Sequence, residues 1–173
     1  MTIHATDPFA TPDDAKSPVR RLRGRLPAAV TLWTVYDRER RPVGLTVSST
    51  VVVEGNPARL LGVLDPESAV WEALEVGKAF AVMALDDRHR RLADRFAGLM
   101  PAPGGPFAGH TWTETEYGPV LPEAAAWAAC RLAETRPVGW SQLVEAVIEG
   151  VDVAGETPSP PLVHWRGRYR TLE

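Results

Sequence analysis

Cysteine is almost missing from this chain. Cys130 stands alone among 173 residues, which excludes an intramolecular disulfide and a metal site built from thiolates. Trp127, Ala128 and Ala129 precede it and no His or Lys lies close in sequence, so it reads as a small buried hydrophobe. A lone thiol also suits a reducing cytoplasm. An excess of positive charge is missing too. With 19 basic and 22 acidic residues the net charge is −3, which argues against nucleic acid or an anionic membrane surface as the main partner. No apolar run reaches the roughly 18 residues of a membrane span. Met1 to Pro8 lacks the basic and apolar regions of a signal peptide. The histidines show no metal-ligand spacing, so no metal is expected, and His89, His110 and His164 read as surface or packing residues. A catalytic triad and a Gly-rich dinucleotide fingerprint are absent as well.

What is present is short β segments. The length fits one domain, able to bury roughly 70% of its unfolded surface. Residues 1–19 read as a flexible tail, broken by Pro8, Pro12 and Pro18, and residues 20–173 as the domain. Arg20, Arg21, Arg23 and Arg25 form either a solvated entry to the first helix or strand, or a contact for an anion or a dinucleotide phosphate. Ala28 to Tyr36 alternates as a strand. After the charged turn at 37–42, Pro42 to Thr50 returns as the second arm of a hairpin. Here Val43, Leu45 and Val47 give one apolar face, with Thr46 and Ser48 on the other and Ser49 and Thr50 at the end. Side-by-side hydroxyls and freed N–H groups suit a ligand rich in carbonyls, ring nitrogens or phosphate, and equally a solvated sheet edge.

Arg59 to Leu64 reads as a third strand, with Leu60, Leu61, Val63 and Leu64 apolar almost without alternation, which predicts burial on both faces. Asp65 to Ser68 then opens a helix, with Ser68 as N-cap and Gly77 as the stop. Free N–H groups at such a junction attract phosphate. Ala79 to Leu85 is a further strand. Asp86 or Asp87 caps a helix with Leu92 and Phe96 inward, Arg88, Arg91 and Arg95 on a solvated face, and an Asp87–Arg91 pair. Gly98 ends it. The loop at 101–109 reads as a lid or a dimer contact, and Tyr117-Gly118-Pro119 as a turn. Ala124 to Leu132 is open between helix and strand, while Gln142 to Val153 is a long strand. The 16 Pro and 14 Gly, with many strands and few helices, point to a closed or nearly closed β architecture.

Several ordered motifs then carry a resemblance. Gly44-Leu45-Thr46-Val47-Ser48-Ser49 comes first, followed by Leu64-Asp65 with Ser68 and Trp71-Glu72-Ala73, and by Phe80-Ala81-Val82. Asp94-Arg95-Phe96-Ala97-Gly98, Pro119-Val120-Leu121 with Trp127 and Cys130, and Arg166-Gly167-Arg168-Tyr169-Arg170 follow in order. Over about residues 24–173 the chain resembles the flavin reductase-like proteins. That resemblance implies an antiparallel Greek-key split β-barrel with two or three short helices, paired as a homodimer, and it turns Ala124–Leu132 into a strand. It implies NAD(P)H-dependent reduction of FMN, with FAD as a further flavin, and a flavin-dependent monooxygenase as recipient. The alternative on the same fold is a flavin-binding carrier, sensor or partner-binding module.

The resemblance also implies a cofactor site. Thr46, Val47, Ser48 and Ser49 would lie along the flavin ring and ribityl chain, Asp65 and Ser68 near the phosphate, and Arg95, Phe96 and Ala97 close by. Tyr169 would stand at the rim. Met83 occupies a position where the family often has Asn, and it lacks the amide's hydrogen bonds. Gly139-Trp140-Ser141 replaces a frequent Gly-Asp-His, so Trp140 and Ser141 are the expected substrate-side residues. Trp140 either stacks on an aromatic ligand or packs between subunits.

Overall fold

The computed structural model describes residues 17–154 and 159–172. Its order is α1 (Pro18–Arg25), β1 (Ala28–Ala29), β2 (Thr31–Tyr36), β3 (Pro42–Val47), β4 (Thr50–Val53), β5 (Arg59–Leu64) and α2 (Ala69–Ala73). β6 (Ala79–Ala84), a 3-10 turn at Asp87–His89 and α3 (Arg90–Phe96) follow. The chain ends with β7 (Thr113–Thr115), β8 (Gly118–Val120), β9 (Ala126–Val138), β10 (Ser141–Val153), β11 (Leu162–Trp165) and β12 (Arg168–Thr171). The helix α1 takes in Pro18 and Val19 from the expected tail, while residues 1–16 lie outside the described residues.

Seven strands form one antiparallel sheet in the order β3-β2-β6-β9-β10-β5-β4. The two edges, β3 and β4, are consecutive in the chain and are separated only by Ser48 and Ser49. A flat sheet cannot satisfy that link, because seven strands about 4.8 Å apart would hold its ends far beyond the reach of two residues. The sheet therefore curls until its edges meet, and Ser48–Ser49 lies on the seam.

Curling makes two apolar compartments. The first contains Trp33, Val35, Val47, Leu60, Leu64, Phe80, Val82, Cys130, Leu132 and Val144, and is plugged by Val70 and Ala73 of α2. The second lies on the other face, where Leu32, Ala81 and Met83 meet Leu92 and Phe96 of α3, Leu121, Leu162 and Tyr169. Successive side chains of β2 and β6 enter opposite compartments, which is why all six residues of β2 are buried. Trp33 and Phe80 stack at 5.1 Å in the first. Burial, reinforced by Glu149, pushes the Cys130 thiol up to about 12, as an inert core residue requires.

Several local expectations change. β5 is fully buried on one face only: Leu60, Gly62 and Leu64 point inward, and Leu61 and Val63 stay half-buried in the single chain. Ser68 caps α2, accepting from Trp71 N at 3.2 Å, but the helix closes at Leu74 and Gly77 serves the following turn at φ 87°. Gly118 and Pro119 are strand residues of β8, since the β7–β8 turn falls one residue earlier. The 124–132 stretch is strand, and β9 runs on through Pro137 opposite Gln142. Gly98 at φ 72° does end α3.

Asp86, not Asp87, starts the turn that leads into α3. Its buried carboxylate accepts from Arg88 N at 3.1 Å and pairs with Arg88 Nη2 at 2.6 Å, while His89 Nδ1 lies 2.9 Å away. Burial alone would raise the carboxyl, but the Arg88 bond and the adjoining His89 and Arg88 charges outweigh it and hold it below the usual range. A depressed folded pKa stabilises above the unfolded value, about 3.9, and that stability is lost as pH falls through the folded one. Urea midpoints followed across the acid range should therefore drop for the parent protein. Asp86→Asn should start lower at neutral pH, by about 1–2 kcal/mol, and lose that acid step.

Candidate functional site

The seam brings the hydroxyl-rich stretch to one end of the barrel. Three ties hold it. Thr31 Oγ1 donates to Val47 O at 2.7 Å and lies 2.9 Å from Thr50 Oγ1. Trp33 Nε1 donates to Thr31 Oγ1 at 3.1 Å. Ser49 Oγ donates to Val63 O at 2.8 Å and accepts from Val63 N. These bonds replace the ladder that β3 and β4 lack across the gap. Thr46 turns the other way, donating to Ala93 O of α3 at 2.7 Å. Ser48, half-exposed at the bend, makes no side-chain hydrogen bond with a described residue.

Two further segments reach the same end. β5 runs from Val63, tied to Ser49, directly into Asp65–Ser68, where Asp65 Oδ1 accepts from Glu67 N and Ser68 Oγ donates to Asp65 O. Gln142 pairs with Leu64, so the Gly139–Trp140 turn and Ser141 stand beside that junction. Trp140 is 86% exposed at its tip, and Gly139 adopts φ 55° to make the turn. The expected residues Ser48, Ser49, Asp65, Ser68, Trp140 and Ser141 thus share one region. Open hydroxyls, a turn with a helix cap and an uncommitted indole offer hydrogen bonds and a stacking face to a flat heteroaromatic ligand carrying phosphate.

Other expected site residues are elsewhere. Met83 is fully buried in the second compartment, and its Sδ accepts from Leu121 N at 3.3 Å. It faces protein because alternation along β6 sends it opposite Val82. Phe96 is buried there too, edge-on to Phe107 at 4.8 Å. Val47 is a side chain of the first compartment and Tyr169 of the second, so neither lines an open surface. Burial, helped by the Asp94 charge, raises the Tyr169 phenol. Arg95 is half-buried, with Nη1 on Ala108 O at 2.7 Å, which removes it from the solvated face. Ala97 caps α3 and bonds back to Ala93 O. Together with Trp112 Nε1 on Phe107 O at 2.9 Å, Arg95 pins the 101–109 loop to α3.

Trp33, Thr31 and Gly62 help Thr50 build the seam without having been singled out in sequence. A Cβ on Gly62 would lie 2.5 Å from two Trp33 ring atoms, so the indole passes over that strand at the closest possible distance. A glycine interrupting Leu60-Leu61-Gly62-Val63 was the available signal.

A barrel rolled from one antiparallel sheet, sealed at a hydroxyl seam and flanked by α3, is the frame of a flavin-handling domain. The model of the flavin reductase like domain matches residues 23–173, and the chain belongs to that family. It is 31% identical to the FMN reductase (NADH) RutF of Methylorubrum populi, over 99% of this chain and 83% of that protein. It is 26% identical to the flavin-dependent monooxygenase reductase subunit HsaB of Mycobacterium tuberculosis, over 89% of this chain and 81% of that one. Among solved structures, a nitrilotriacetate monooxygenase component B homologue from Mycobacterium thermoresistibile superposes with a TM-score of 0.80 at 26% identity, covering 90% of this chain and 85% of that one. The fold is the split barrel, mainly β and antiparallel, with three α-helices among the described residues.

Proposed function

We propose that this protein is an NAD(P)H-dependent flavin reductase acting on FMN, with FAD as a second acceptor, and that it supplies reduced flavin to a flavin-dependent monooxygenase. The observation that carries this reading is the meeting of Ser48–Ser49, Asp65–Ser68 and Trp140–Ser141 at one end of a rigid barrel. The relatives named as an FMN reductase and as a monooxygenase reductase subunit support it. Bound flavin supplies the atom that takes the hydride. The protein's task is then to position two flat rings, which needs no nucleophile or strong base of its own. Ser48 would donate to the flavin's edge, Ser49 would hold the strand that presents it, and Trp140 and Ser141 would face the nicotinamide side. Thr46, Arg95 and Ala97 act through α3, and Met83, Phe96, Val47 and Tyr169 through the two compartments.

The test is oxidation of NADH and NADPH by the purified protein with added FMN or FAD. Turnover above the free-flavin background is expected, and its absence overturns the reading. Ser141, standing where the family often has His, favours one second reading: a flavin-binding module that does not turn over. Tight flavin binding without pyridine-nucleotide oxidation would be its signature. Trp140→Ala should leave the melting temperature unchanged, because the indole is solvent-exposed. If Trp140 stacks on the nucleotide, the variant should raise KM for NADH about five- to tenfold, an expected stacking loss of about 1 kcal/mol.

A homodimer belongs to the same proposal. β4 is an edge strand with Val51, Val52 and Val53 exposed by 57%, 63% and 42%. Such an edge requires cover in solution. A second copy is the proposed cover, and Val52→Lys is expected to shift the mass measured by light scattering from dimer to monomer. Among the described residues, no helix is long and apolar enough to cross a membrane.

A further inference from the structure

Positive charge is concentrated on α1 and β12. Arg20, Arg21, Arg23 and Arg25 are all exposed on α1, whose first turn contains no acidic residue. Arg168 and Arg170 are exposed on β12, on the face opposite buried Tyr169. The two elements are joined: Arg166 N donates to Gly24 O at 2.7 Å, and β1, which follows α1, pairs with β11. Their proximity reaches His164, whose pKa is lowered by burial and further by the Arg23 charge. None of the six arginines forms an ion pair with a described residue. Without them, 13 basic residues stand against 22 acidic ones, so the remainder of the molecule is strongly anionic.

The corner is also apolar. Val19, Leu22 and Leu26 are exposed by 76%, 61% and 61%, at a spacing that forms one stripe along the helix and its C-cap. No described core contact uses any of α1, which has no buried residue.

We propose that this corner docks the acidic face of a partner protein, with carboxylates on the arginines and an apolar side chain on the stripe of Val19, Leu22 and Leu26. The arginines are distributed over two elements and do not converge on one point, which suits a spread of carboxylates and not a single phosphate. Arginine forks pair bidentately with carboxylates. Exposed aliphatic residues ringed by arginine have the composition of an interface centre, where apolar anchors need a charged rim. A nucleic acid or an anionic bilayer extends beyond the corner and would meet the anionic remainder, which repels it. A compact acidic surface can engage the corner alone. The inference does not depend on the flavin reading, because the corner shares no residue with the seam region.

The experiment is fluorescence anisotropy of the full chain with a fluorescein-labelled amphipathic peptide of Glu and Leu. Binding is expected, weakening at least about tenfold from low to physiological salt. The triple variant Arg20→Glu, Arg21→Glu, Arg25→Glu should bind at least about tenfold more weakly at low salt, with an unchanged melting temperature. Arg168→Glu with Arg170→Glu provides a second charge reversal away from the helix, expected to act in the same direction. Leu22→Ser should weaken binding several-fold at both salt concentrations. Absence of peptide binding, or equal binding by folded charge-reversed variants, overturns the proposal. So does tighter binding of a DNA duplex or of phosphatidylserine vesicles than of the peptide, or a charge reversal that weakens only NADPH binding.

Discussion

Replacing Gly118 with alanine should destabilise the protein by about 3 kcal/mol or more, read as a fall in the urea midpoint with an unchanged slope. Two causes add. Gly118 adopts φ 129°, a region that side chains with a Cβ rarely enter. The added Cβ would lie 2.9 Å from the carbonyl carbon, the carbonyl oxygen and Oγ1 of Thr34. Those first two atoms are backbone of β2, the second strand of the seven-stranded sheet, and cannot swing aside. Thr34 is fully buried, and its hydroxyl donates to Pro119 O at 2.7 Å, so moving β8 away breaks the bond that holds it. The loss should extend to the second compartment. Leu121, next along the chain, bonds Met83 Sδ and fills that core, while Tyr36 bonds Glu114 on β7 at the far side of the hairpin. That contact, after burial, helps to push the Tyr36 phenol up to about 12.

Gly62→Ala should combine a loss of stability with a loss of ligand binding. Its Cβ would meet the Trp33 ring at 2.5 Å, and Trp33 is a rigid, fully buried side chain already stacked on Phe80. Overpacking of this kind costs about 1–3 kcal/mol. The indole must tilt, and its Nε1 bond to Thr31 tilts with it, which loosens the Thr31–Thr50 tie. Ser49 O lies 3.6 Å from the same Cβ position, and Ser49 Oγ holds the next residue of the strand, Val63. The displacement therefore reaches the region proposed for flavin. Equilibrium dialysis with FMN should show affinity reduced about tenfold, in protein that still melts cooperatively. Unchanged FMN affinity in a destabilised variant would separate the seam from the ligand site.

Much of the fold was legible because strands bury alternate residues. Val43, Leu45 and Val47 against Thr46 and Ser48 gave the correct faces of β3, and the hairpin with β2 followed from its charged turn. Alternation also contained the answer for Met83, since Val82 and Met83 must face opposite ways. Which face of the sheet is covered by protein was not in the sequence, because it depends on where α3 and β8 pack. β5 misled for a related reason. Leu61 and Val63 are as apolar as their neighbours, yet stay half-buried in the single chain, and composition does not reveal whether a second layer exists. The helix caps were read from local chemistry, but α2 stopped at Leu74 because its following turn bonds Gly77 N to Leu132 O, a contact 55 residues away. The hydroxyl-rich stretch was visible as unusual. Its division of labour was not, since Thr31 and Gly62 come from strands distant in sequence.

The seam has a topological consequence. Because the two sheet edges are consecutive in the chain, the barrel is a strip whose ends are joined by one covalent link and a few side-chain bonds. Cutting the chain between Ser48 and Ser49, and rejoining it elsewhere, would sever no ladder between neighbouring strands. Such a circular permutant should keep all six strand pairings of the large sheet and yet be free to unroll, which turns a rolled half-barrel into an open ribbon.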